Sequence, residues 1–124
     1  MRNETFRNKI QGELHKDCDC EDGRFNSRGV SRVFRSLIRT MCKEQGFTME
    51  KYCPMFFEGS AYVRRQDGRF FYIKMSDARS FSNDSILYRE VEGTSSSCGP
   101  TIGGRWSNRY SDISGLGRAI ASVR

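Results

Sequence analysis

The longest periodic stretch of the chain runs from about residue 28 to residue 45. Val30, Val33, Phe34, Leu37, Ile38 and Met41 recur there at spacings of three and four, which gathers them on one face of an α-helix. Arg28, Arg32, Arg35, Arg39 and Lys43 fall on nearly the opposite face. Ser27 offers a side-chain oxygen to cap the start, and Gly46 supplies a residue able to end the helix in a left-handed conformation. Residues 4–16 repeat the pattern on a smaller scale, with Phe6, Ile10 and Leu14 in one line and Asn3 as the candidate cap. The stretch Asp17-Cys18-Asp19-Cys20-Glu21-Asp22-Gly23 between these helices has neither period and reads as an acidic loop.

The period then changes. Residues 56–65 and 69–75 flank Asp67-Gly68, a dipeptide favoured in tight hairpin turns, and both flanks are rich in aromatic and β-branched side chains. Pairing Gln66 with Arg69 sets Arg64 opposite Phe71 and Tyr62 opposite Ile73, with Val63, Arg65, Phe70 and Tyr72 on the other face. Residues 85–91 read as a third strand, and residues 93–104 as a loop. Ile113, Leu116, Ile120 and Val123 return to helical spacing, with Ser111 as the cap. The expected fold is α+β: two N-terminal helices, a three-stranded antiparallel sheet and a short C-terminal helix. The helices would cover one side of the sheet, and residues 1–124 would form one small domain.

Charge sharpens this picture. The net charge is +6, and sixteen of the 21 basic residues are Arg. Residues 24–46 alone carry +5, whereas residues 1–23 carry −2. The planar fork of Arg suits phosphate and carboxylate, so the helix stripe Arg28, Arg32, Arg35, Arg39, Lys43 is the first candidate for partner binding. It could neutralise phosphates without reading sequence, or steer the protein onto an acidic surface; a solvated helix exterior has the same composition. The hairpin adds Arg64, Arg65, Arg69, Phe70 and Tyr72, a mixture suited to base stacking beside backbone neutralisation. Gly68-Arg69-Phe70-Phe71-Tyr72-Ile73 resembles the aromatic strand of RNA-binding domains, although here the helices precede the hairpin instead of following a βαββαβ order.

Five cysteines stand at 18, 20, 42, 53 and 98, an odd number with no export signal before them, and reduced thiols are expected. His15, Cys18 and Cys20 form an HxxCxC group that could hold zinc with one of Cys42, Cys53 or Cys98 as fourth ligand. Paired CxxC knuckles are missing, so no cofactor is expected and a zinc-stabilised interaction module is the alternative. A single His, the lack of GxxxxGK[ST] and the lack of an acid pair argue against an enzyme. No apolar run approaches the roughly 20 residues that span a bilayer, and a cytoplasmic protein with no membrane partner is expected.

The cassette Gly59-Ser60-Ala61-Tyr62-Val63, followed by Asp67-Gly68-Arg69-Phe70-Phe71-Tyr72-Ile73-Lys74-Met75-Ser76-Asp77, resembles strand–turn–strand segments of small phage and mobile-element proteins. In size, composition and surface the whole chain resembles anti-CRISPR and related anti-defence proteins. The resemblance implies a non-enzymatic inhibitor that occludes a bacterial nucleic-acid-handling complex, such as a CRISPR effector, in the cytoplasm of a bacterial host. The other reading is a protein that binds nucleic acid directly.

Overall fold

The computed structural model of the protein describes residues 3–15, 27–55, 58–75, 86–94 and 108–124. Helices α1 (Asn3–His15) and α2 (Ser27–Gln45) are followed by strands β1 (Thr48–Met55), β2 (Glu58–Arg64), β3 (Phe70–Met75), β4 (Ile86–Val91) and β5 (Arg109–Ser111). Helix α3 (Leu116–Ala121) closes the order. The sheet is antiparallel and has five strands in the order β1-β2-β3-β4-β5, which corrects the expected three. Two outer strands escape the sequence pattern for different reasons. In β1 the register shifts between Met49 and Lys51, so a bulge breaks the period of two. Pro54, a residue tolerated mainly on outer strands, disguises its far end. Strand β5 is three residues long, and its Arg109 and Tyr110 are exposed, so it carries no apolar alternation at all.

The β2–β3 hairpin forms, but one residue out of the expected register. Arg64 pairs with Phe70, Val63 with Phe71 and Tyr62 with Tyr72. The turn is not a two-residue loop. The Arg65 N–H donates to the Arg69 carbonyl at 2.9 Å and the Gly68 N–H to the Arg65 carbonyl at 2.9 Å, leaving Gln66, Asp67 and Gly68 as the loop. Gly68 has φ 87°, the left-handed residue that a three-residue hairpin loop requires. Because side chains alternate across a sheet, the slip reassigns every residue of one strand to the other face. Ala61, Val63, Phe71, Ile73, Met75, Ile86 and Tyr88 join the helix-side core. Tyr62, Tyr72 and Val91 form a second cluster with Phe70 and Leu87, and the two tyrosine rings lie 5.3 Å apart at a tilt of 52°.

The helices behave as their periodicity requires. Phe6 and Ile10 of α1, which packs on α2, join Val30, Phe34, Leu37, Ile38 and Met41 of α2 in the core on the sheet's inner face, with Ile113, Leu116, Ile120 and Val123 completing it. Gly46 ends α2 at φ 75°, and the Phe47 N–H returns to the Cys42 carbonyl at 2.8 Å, satisfying one of the orphan acceptors of the last turn. Phe47 itself is buried, anchoring the exit into β1. Asn3 is the first residue of α1, and its side chain reaches across to the far end of the chain. Its Nδ2 donates to Asp112 at 3.1 Å and its Oδ1 accepts the Ser114 N–H at 3.0 Å, tying the start of α1 to the turn before α3. That turn is set by Asp112, whose Oδ1 accepts the Gly115 N–H at 2.7 Å, while the expected cap Ser111 belongs to β5. The loop 17–23, the segment 95–104 and the side chains of Leu14 and Ser27 lie outside the described residues.

Candidate functional site

Because α2 lies over β1 and β2 with its apolar face inward, its polar face rises beside the outermost strand and a groove of about 650 Å³ opens between them. Arg32, Arg35 and Arg39 form one wall. The floor and opposite wall come from Met49, Tyr52 and Pro54 of β1, with Glu50 and Lys51 beside them. Two links hold the geometry. Tyr52 shares a 2.8 Å hydroxyl–hydroxyl hydrogen bond with Ser31 and donates to the Ser31 carbonyl at 2.7 Å, pinning the strand to the second turn of the helix. The Arg35 guanidinium carbon sits 5.7 Å from the centre of the Tyr52 ring, a cation–π arrangement that aligns the fork along the groove. Burial pushes the Tyr52 phenol above its ordinary pKa, so it stays a neutral donor.

Arg32, Arg35, Arg39 and Lys43 are exposed, and among the described residues no carboxylate pairs with them. Arg28 lies on α2, but its side chain is outside the described residues. The hairpin cations are differently placed. Arg64 donates to Glu50 at 2.6 Å, which also neutralises the one carboxylate that borders the groove among the described residues. Lys74 lies 3.6 Å from Glu58. Arg65 is folded inward: its side chain is 11% exposed, ion-paired with Asp67, and 5.4 Å above the Phe71 ring. Its Nη1 donates to the Ile120 carbonyl at 2.9 Å and the Val123 carbonyl at 2.6 Å, so it clamps the end of α3 to the hairpin. The Arg65 guanidinium holds the Asp67 carboxyl down at about 2. Arg69 forks onto Glu90, its Nε donating at 2.9 Å, and lowers that carboxyl as well.

The aromatic half of the hairpin is committed to packing. Tyr62 and Phe71 are fully buried, Tyr72 is 3% exposed and Phe70 is half-buried in the second cluster. Among the described residues the only large exposed hydrophobic is Tyr110, at 62%, on β5 and apart from the groove. The sequence-selected residues thus separate into two groups: Arg32, Arg35 and Arg39 converge on the groove with Lys43 further along the same helix, whereas Arg65, Arg69 and Tyr72 serve the fold. Met49, Tyr52 and Pro54 were invisible as site residues because β1 itself was unread. Their signal was a period of two interrupted by the bulge near Glu50.

Cys18 and Cys20 of the candidate zinc group, and Cys98, lie outside the described residues, as does the side chain of His15. Among the described residues no cluster of His, Cys, Asp and Glu could hold a metal ion. Cys42 and Cys53 are buried and not joined in a disulfide, and desolvation pushes Cys42 up to about 11, far from the reactive thiolate range. Among the described residues no helix is long and apolar enough to cross a membrane. No protein-family model matches the chain, and neither a curated protein nor a solved structure matches it.

Proposed function

We propose that the protein is a non-enzymatic binding protein that docks an anionic partner in the α2–β1 groove and thereby inhibits or modulates a bacterial nucleic-acid-handling complex. The observation that carries the reading is the convergence of Arg32, Arg35 and Arg39, none of them paired with a described carboxylate, on a groove built by a rigid helix–strand contact. Guanidinium forks with no carboxylate partner among the described residues are available for charge-assisted bonds to carboxylate or phosphate. The hairpin, by contrast, supplies little to such a partner, since its cations are paired and its aromatic rings are packed away. Among the described residues Tyr110 alone leaves a large ring exposed, apart from the groove, and this favours a protein component of the complex over a single strand, which is held largely by stacking on exposed rings.

The test is recovery of the tagged protein from a bacterial host lysate with and without nuclease, in parallel with Arg32→Gln/Arg35→Gln/Arg39→Gln. Retention of a bound protein after nuclease, lost in the triple variant, is the expected result. A partner set that vanishes completely with nuclease would replace this reading with direct nucleic-acid binding. Capture unchanged by the triple variant would remove the groove from the mechanism.

A further inference from the structure

We infer that the groove takes an extended acidic segment of a partner protein, with carboxylates at alternate positions. This deepens the proposed function and rests on it. Three features narrow the occupant. The first is spacing. With a helical rise of about 1.5 Å per residue, Arg32 and Arg35 are separated by about 4.5 Å along α2, and Arg35 and Arg39 by about 6 Å. Side chains on the same side of an extended peptide repeat every 6.4–6.8 Å or so. A strand lying along α2 therefore brings successive same-side carboxylates to successive guanidinium groups, and the flexible arginine stems absorb the remaining mismatch.

The second feature is the floor. Met49 and Pro54 give apolar contact to side chains that point away from α2, and the Tyr52 ring already carries Arg35 on its face. Among the described lining residues a nucleobase would find no other ring, while an aliphatic side chain would find a surface to cover. The third is charge. Glu50, the one carboxylate among the described residues lining the groove, is satisfied by Arg64 at 2.6 Å, so the field of the described lining comes from the arginines and Lys51. Bidentate pairing of each fork with a carboxylate would fix both register and direction of the segment.

The probe is a capped, fluorescently labelled peptide of alternating Glu and Val, about eight residues long so that it outreaches the arginine row. Its binding is measured by anisotropy beside a peptide of the same composition with the Glu residues in one block, and beside single-stranded and duplex oligonucleotides of matched charge. The alternating peptide is expected to bind at least about tenfold more tightly than the block peptide, the value of one charge-assisted hydrogen bond. Arg32→Gln/Arg35→Gln/Arg39→Gln, first shown to melt as the parent does, should lower its affinity by about tenfold or more. Arg39→Glu should be rescued in part by a peptide carrying Lys at one acidic position, a result that misfolding cannot produce.

Equal binding of the two peptides, or no binding of the alternating one at millimolar concentration, overturns the inference. Tighter binding of either oligonucleotide overturns it too, but leaves the groove as the site if the triple variant abolishes that binding. Indifference of every probe to the triple variant sinks the inference and the proposed function together.

Discussion

Replacing Gly59 with alanine tests how the helix layer and the groove share the same atoms. Gly59 is buried on β2, and a Cβ built there would lie 2.5 Å from the Tyr52 hydroxyl and 2.6 Å from Phe34 Cδ1. Both neighbours are held. Phe34 is fully buried, and the Tyr52 hydroxyl is fixed by its bonds to Ser31 at 2.8 and 2.7 Å. Overpacking of a closed core costs about 1–3 kcal/mol, and displacing the tyrosine bonds about 1 kcal/mol more, so Gly59→Ala should lose about 2–4 kcal/mol. At this chain length that corresponds to a fall in Tm of about 8–16 °C, and in urea to a lower midpoint with an unchanged slope. Tyr52→Phe removes the atom nearest the new methyl group. It should therefore cost less in the Gly59→Ala background than in the parent, with a coupling above about 0.5 kcal/mol. A Gly59→Ala protein within about 0.5 kcal/mol of the parent, or a strictly additive double-mutant cycle, would refute the shared-atom argument.

Two further outcomes follow from the hairpin. Arg65→Met should cost about 1–3 kcal/mol, because the Ile120 and Val123 carbonyls lose their buried donor, and amide exchange in α3 should quicken more than in β2; α3 exchange at the parent rate would contradict the clamp. The Asp67 carboxyl is lowered from an ordinary 3.8 to about 2, so the folded state favours its ionised form. Its contribution is present above the ordinary value and is lost as pH falls through about 2. Asp67→Asn should therefore flatten the stability–pH curve between roughly pH 4 and 2, whereas an unchanged slope in urea titrations would show that the Arg65 contact does not bias that titration.

Much of the helical layer was legible because burial and periodicity coincide there. Val30, Phe34, Leu37, Ile38 and Met41 form one stripe, Gly46 ends it, and Ile113, Leu116, Ile120 and Val123 all reach the same core even though α3 itself is only six residues long. The sheet was half legible. Its central hairpin announced itself through Asp67-Gly68, yet register depends on whether two or three residues make the loop. That choice is set by backbone bonding around Arg65 and Arg69, not by composition. One residue of slip was enough to move Tyr72 from an imagined binding face into packing with Tyr62. The site was legible only on its α2 side. Its other wall is a bulged strand ending near a proline, where the alternation that marks strands is broken twice.

The strand order β1-β2-β3-β4-β5 also bears on how quickly the sheet can assemble. Every ladder joins neighbours along the chain, so no pairing waits for a distant crossover, and the β2–β3 junction closes over three residues. The entropic cost of closing a loop rises with its length, and chains with local pairings fold faster than those with remote ones. The Arg65–Val123 bond spans 58 residues and belongs to the other extreme. Assembly thus divides by sequence separation: the meander can grow hairpin by hairpin, while docking of α3 onto α2 must bridge a long loop, and its Arg65 bonds form only once the hairpin that presents them is in place.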